Sequence, residues 1–165
     1  MLHIYTGDGK GKTTCATGLA ARAAGCGIKA AVFSFMKNKD SNEEKCLCDK
    51  IDFFSSDKSF GFVWDMSENE KLEAAAEYGK LFERVVSLSG NYGIIVLDEI
   101  IPACECGLCD IKKLLEFVKQ AKCEIVLTGR NAPDSLITVA DYVTEMKCIK
   151  HPYENGVMAR EGIEY

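Results

Sequence analysis

The stretch Thr6 to Gly18, TGDGKGKTTCATG, restricts the fold of this chain more than any other. Gly7, Gly9 and Gly11 alternate directly after a short apolar run, Leu2–Tyr5, and directly before an alanine-rich run, Lys12–Ala24. The first run reads as a strand and the second as a helix. In a strand, glycine turn and helix taken in that order, backbone N–H groups converge on phosphate oxygens without Cβ obstruction. The helix N-terminus adds its positive end at the same point. Lys12 can reach the phosphates, the Thr13 hydroxyl can ligate Mg2+, and Lys10 supplies a second cation. Gly7, Asp8, Gly9, Gly11 and Thr14 complete the candidate nucleotide contacts. The strict phosphate-loop motif asks for glycine at position 6, where this chain has Thr6.

The rest of the chain alternates between the same two periods. Strands are predicted at Ala30–Phe35, Gly93–Leu97, Glu124–Thr128 and Tyr142–Cys148, with a weaker candidate at Ile51–Phe54. Glu68–Leu88 repeats apolar residues at helical spacing. Asp110 caps a helix carrying Ile111, Leu114, Leu115 and Val118, and Pro133 suits the first turn of a short helix. The polar run Lys37 to Lys50, KNKDSNEEKCLCDK, reads as a mobile surface loop. This order predicts a doubly wound α/β fold of the P-loop NTPase (RecA) type, with a mainly parallel sheet of five or six strands. Its ligands would gather at the strands' carboxyl ends. At 165 residues the chain is expected to form a single domain, 1–165.

Ile94-Ile95-Val96-Leu97-Asp98-Glu99 is an apolar strand ending in two acids, and Asp98 or Glu99 can hold Mg2+ opposite Thr13. With 20 Lys+Arg against 25 Asp+Glu, the net charge of −5 makes nucleic acid a disfavoured partner. No run approaches the ~20 apolar residues that cross a bilayer, and the N-terminus lacks a basic leader, so a cytoplasmic location is expected. The chain has nine cysteines. Cys104, Cys106 and Cys109 form a C-x-C-x2-C run that would either remain reduced thiols or bind zinc or part of an iron–sulfur cluster, with Cys46 or Cys48 assisting.

Several further stretches carry a resemblance: Ala21-Arg22-Ala23, Gly61-Phe62-Val63-Trp64, Leu127 to Pro133 (LTGRNAP), Ala140 to Met146 (ADYVTEM), and the ending from His151 to Tyr165. Together with TGDGKGKTT and VLDE, they resemble the P-loop corrinoid adenosyltransferases from the first strand to the last residue. That family's loop likewise reads T-G-x-G-K-G-K-T-T, which makes Thr6 the family form. The resemblance implies that Co(I) of a reduced corrinoid attacks C5′ of ATP and that triphosphate leaves. It also implies a nucleotide held in the reverse sense from ordinary P-loop enzymes, a homodimer, and a reduced flavoprotein as a possible electron donor. Phe62 and Trp64 match the aromatic pair that packs on the lower face of the corrin; the other reading is that they are core aromatics.

Arg22 is a candidate nucleotide contact or a solvated helix residue, and Asp8, where the family has Asn, a nucleotide contact or a turn-forming carboxylate. Arg130 lies on the ligand side of the sheet, in a nucleotide-binding or ion-pair role. His151 reads as structural. The cysteine runs depart from the pattern, as does the start of the first strand almost at Met1, where the family's longer members carry a covering N-terminal segment. The two other readings are an ATPase or phosphotransferase that forms ADP, and a non-catalytic carrier.

Overall fold

The computed structural model describes residues 1–37 and 42–163. Its six strands are β1 (Leu2–Thr6), β2 (Ala30–Ser34), β3 (Ile51–Ser55), β4 (Ile94–Asp98), β5 (Glu124–Thr128) and β6 (Tyr142–Glu145). They form one sheet in the order β3-β2-β4-β5-β1-β6, and every pair is parallel. The weak strand candidate is therefore real, as edge strand β3, with Ala30 opposite Ile51.

The helices are α1 (Lys12–Gly25), α2 (Asn42–Leu47), α3 (Glu68–Leu88), α4 (Ile100–Glu105), α5 (Ile111–Gln120) and α6 (Asp134–Ile137). Alternating strand residues face opposite layers, as the pleat requires. Ile4, Phe33, Ile95, Leu97, Ile125 and Leu127 pack with α3, α4, α5 and α6. Val32, Ile94, Val96 and Val126 pack under Ala16 and Ala20 of α1. Helices thus cover both faces, and the central strands read as continuous apolar runs because neither side meets water.

Local chemistry sets the helix ends. Ser67 accepts from the Glu70 N–H while the Glu70 carboxylate accepts from the Ser67 N–H, a capping box that starts α3. Asp110 accepts from the Lys112 N–H and starts α5, as anticipated.

Four expectations need correction. The polar run from Lys37 is not all loop, because α2 forms within it; residues 38–41 of that run lie outside the described residues, as do 164 and 165 of the C-terminal motif. Pro133 sits one residue before α6, in extended backbone. Helix α4 was not foreseen: Glu99 enters the left-handed region (φ 59°) and turns the chain directly from β4 into it. β6 stops at Glu145, short of Cys148, because the next residue leaves the sheet for the glycine loop. There the Met146 N–H donates to the Thr6 carbonyl (2.8 Å) and the Met146 carbonyl accepts from the Gly9 N–H (2.7 Å).

Candidate active site

The loop between β1 and α1 is closed on itself. The Lys12 ammonium donates to the carbonyls of Gly7 (2.7 Å) and Gly9 (2.9 Å), and the residue is almost fully buried. Burial pushes its pKa down, Arg130 pushes it the same way, and Glu99, Asp8 and Asp98 oppose both. The glycines at 7 and 9 are required by the segment around Met146 that passes over them. A Cβ on Gly7, whose φ is 95°, would stand 2.5 Å from the Met146 carbonyl oxygen, and one on Gly9 would stand 2.7 Å from it.

Thr6 also acquires a structural reason. Its hydroxyl accepts from the Ala132 N–H (3.1 Å), tying the end of β1 to the loop after β5. That loop carries Arg130, which pairs with Asp8 at 3.5 Å, both side chains well exposed. The β5 loop and the glycine loop therefore lie against each other.

At the end of β4, Asp98 is 1% exposed and bonded on every side. Its Oδ1 accepts from the Thr128 hydroxyl of β5 (2.6 Å) and the Thr13 hydroxyl of α1 (3.0 Å). Its Oδ2 accepts from the Lys37 ammonium, which also donates to Thr13 Oγ1 (2.8 Å). The Thr128 hydroxyl in turn accepts from the Glu99 N–H at 2.9 Å. Burial raises the Glu99 pKa, the Asp98 charge raises it further, and Lys37, Lys12 and Arg130 oppose the rise.

Carboxylate and hydroxyl oxygens are the hard donors a small divalent cation takes. A cation already sits between Thr13 and Asp98, namely the Lys37 ammonium. The donor set therefore fits Mg2+, with Thr13 and Asp98 as the oxygens that would hold it and Glu99 beside them.

Phe62 and Trp64 stack at 4.6 Å with rings 8° from parallel. They are 66% and 78% exposed, so they are not core aromatics. A small cavity behind them is lined by Met36, Val63, Met66, Tyr78 and Leu108, which links this surface to the turn after β2.

The structure thus gathers Gly7, Asp8, Gly9, Lys10, Gly11, Lys12, Thr13, Thr14, Asp98, Glu99 and Arg130 at the carboxyl end of the sheet. Arg22 is not among them: it lies exposed in the last turn of α1, about 15 Å along the axis from Lys12. His151 caps a short turn by accepting from the Tyr153 N–H (3.2 Å).

Among the described residues no three His, Cys, Asp or Glu, the cysteine run included, are placed to hold a metal. Cys104 and Cys109 instead pack against the core, where burial pushes both thiols up to about 12, and Cys106 is exposed.

Sequence reasoning missed Lys37 and Thr128. The register offered a signal for the first. Ser34 lies opposite Asp98 in the β2–β4 pair, so a cation three residues beyond Ser34 falls within reach of that carboxylate.

A parallel sheet with a glycine loop after β1, a buried lysine and an acid at the end of β4 defines a P-loop nucleotide-binding protein of the α/β class. A solved KaiC-like protein of Pyrococcus horikoshii shares this fold, with a TM-score of 0.55 at 14% identity over 88% of this chain and 70% of that one. The family model for ATP:corrinoid adenosyltransferase BtuR/CobO/CobP matches residues 1–165, and the chain belongs to that family. The corrinoid adenosyltransferase of a Sinorhizobium species is 34% identical across 100% of this chain and 80% of its own length. The protein of the same name from Pseudomonas aeruginosa is 31% identical across 100% and 83%, and that from Escherichia coli 29% across 100% and 85%.

Proposed function

We propose that this protein transfers the 5′-deoxyadenosyl group of ATP to Co(I) of a reduced corrinoid and releases triphosphate. The observation that carries the reading is the pairing of two features on one end of the sheet. One is a lysine-rich phosphate loop, and the other is an exposed stack of Phe62 on Trp64 that suits a flat macrocycle. The cobalt electron pair forms the Co–C5′ bond, and the C5′–O bond breaks with its pair going to triphosphate. The nucleophile belongs to the substrate, so no side chain need act as base.

The chain's own contribution is charge and position. Lys12 leaves the carbonyls of Gly7 and Gly9 to meet the departing phosphates, and Lys10 and the loop amides add to it. Mg2+ on Thr13 and Asp98 would supply further positive charge to the leaving group. Asp8 with Arg130 is a candidate for positioning the nucleotide, and Phe62 with Trp64 for covering the lower face of the corrin. A single domain, a homodimer, a cytoplasmic location and a reduced flavoprotein donor belong to the same reading. One sheet holding all six strands supports the first of these, and no helix among the described residues is long and apolar enough to cross a membrane.

The test is an anoxic incubation with Mg2+, ATP and chemically reduced cob(I)alamin. A light-sensitive alkylcobalamin forming one for one with triphosphate is the expected result. ADP and phosphate with an unchanged corrinoid spectrum would overturn the reading in favour of an ordinary ATPase.

A further inference from the structure

We infer that Lys37 is a resident counter-cation that holds the place of the divalent metal between Thr13 and Asp98, so that metal enters this site together with nucleotide and not alone. The inference rests on the reading that Thr13 and Asp98 hold Mg2+.

Geometry gives Lys37 this position. The Phe35 N–H donates to the Asp98 carbonyl (2.9 Å), fixing the chain after β2 against the end of β4. Met36 then turns with φ 54°, a left-handed conformation costly for a side-chain residue. Tyr78 lines the same small cavity as Met36 and so packs beside that turn. The turn directs Lys37 onto the two oxygens a metal would use, Thr13 Oγ1 and Asp98 Oδ2.

Electrostatics explains why a cation is needed there. Asp98 is fully buried beside Glu99, and Lys12 is bonded to loop carbonyls. A buried carboxylate without a counter-charge is costly, and Lys37 supplies one in direct contact. A metal ion and an ammonium cannot both occupy the oxygens of Thr13 and Asp98, since like charges would meet at contact distance. Free Mg2+ must therefore displace Lys37 from Thr13 and Asp98 without bringing an anion for it. Mg2+ arriving on a triphosphate brings several negative charges, which offer the displaced ammonium a partner.

If the binding-competent form, with Lys37 swung out, is a tenth or less of the nucleotide-free protein, the apparent metal affinity falls roughly tenfold or more below the intrinsic one. The experiment is Mn2+ binding followed by electron paramagnetic resonance on the full chain, with and without ATP, for wild type and Lys37→Met. Lys37→Met without nucleotide is expected to bind Mn2+ roughly tenfold tighter than wild type and to gain thermal stability on adding Mn2+. Equal nucleotide-free Mn2+ affinity in the two proteins would overturn the proposal.

Should Lys37→Met fail to fold, wild type alone decides. Binding of Mn2+ without ATP as tight as with it would refute displacement, and binding that requires ATP would support it. Loss of ATP-dependent Mn2+ binding in Asp98→Asn, with ATP itself still bound, is the control on the site. If Mn2+ and ATP bind together regardless of Thr13 and Asp98, the metal reading fails and takes this one with it. If that control holds and only the Lys37 comparison is flat, this inference fails alone.

Discussion

Thr128→Val removes one oxygen from the centre of the site and leaves the shape of the side chain almost unchanged. In the native protein that hydroxyl donates to Asp98 Oδ1 at 2.6 Å and accepts from the Glu99 N–H at 2.9 Å, inside a fully buried setting. The valine therefore deletes a hydrogen bond to a carboxylate, worth about 1.5–3 kcal/mol, and leaves an amide without its partner, at a cost of about 1–3 kcal/mol. Sharing between the two losses makes about 3 kcal/mol the expected destabilisation, since neighbouring terms do not add fully. For a domain of this size that lowers Tm by roughly 6–12 °C. Urea denaturation without nucleotide or metal measures it, with Thr144→Val on the exposed edge strand β6 as the control, expected to stay within about 0.5 kcal/mol. A Thr128→Val protein within about 1 kcal/mol of wild type would show that the Asp98 network does not hold the site together, and the reasoning would fail.

Three other outcomes follow from the same geometry. Gly9→Ala should cost about 1–3 kcal/mol because its Cβ meets the Met146 backbone, whereas Gly18→Ala on α1, with nothing within 4 Å, should stabilise by about 0.5–1 kcal/mol; urea midpoints separate the two. Phe62→Ala and Trp64→Ala should leave the unfolding midpoint nearly unchanged, since both rings are exposed, while raising KM for the corrinoid and not for ATP. Cys104 and Cys109 have thiols raised from 9.0 to about 12, so their contribution is fully present below pH 9 and is lost as pH rises towards 12. The paired Cys104→Ala and Cys109→Ala variant should therefore show a flatter fall of Tm over that range.

Much of this molecule is legible in its sequence because its strands are short and its central ones apolar. Ile94 to Leu97 and Ile125 to Leu127 are buried on both faces, and composition alone marks such strands. The glycine loop and the acids of β4 are legible for the same local reason, since each is a contiguous motif next to its own strand. The missed residues are those whose role depends on a neighbour far along the chain. Thr128 is an unremarkable strand residue until β5 is set beside β4, and Lys37 reads as the start of a polar loop until β2 is paired with β4. α4 was missed because it is only six residues long and contains Pro102, so neither periodicity nor propensity could signal it. The spacing of the thiols of 104–109 left reduced thiols and a ligand set both open, because spacing along the chain says nothing of direction. The turn that ends α4 sends Cys104 and Cys109 into the core and Cys106 to solvent.

The strand order accounts for the shape of the site. β5 lies between β1, which carries the glycine loop, and β4, which carries Asp98. Neighbouring strands are ~4.8 Å apart, so the loop strand and the acid strand are separated by roughly 10 Å and do not pair. Two bridges cross that gap. α1 brings Thr13 over the sheet to Asp98, and β5 fills the space beneath with Thr128 bonded to the same carboxylate. The loop after β5 then returns to β1, where Thr6 receives the Ala132 N–H and Asp8 meets Arg130. The phosphate loop is therefore anchored through β5 on one side and through Met146, beyond β6, on the other. On the proposed reading, arriving phosphate and metal replace the bonds that hold Lys12 and Lys37. A loop fixed at both flanks, with exchangeable cations at its centre, can take up a polyphosphate without moving its backbone. That preorganisation is what charge stabilisation of a departing triphosphate requires.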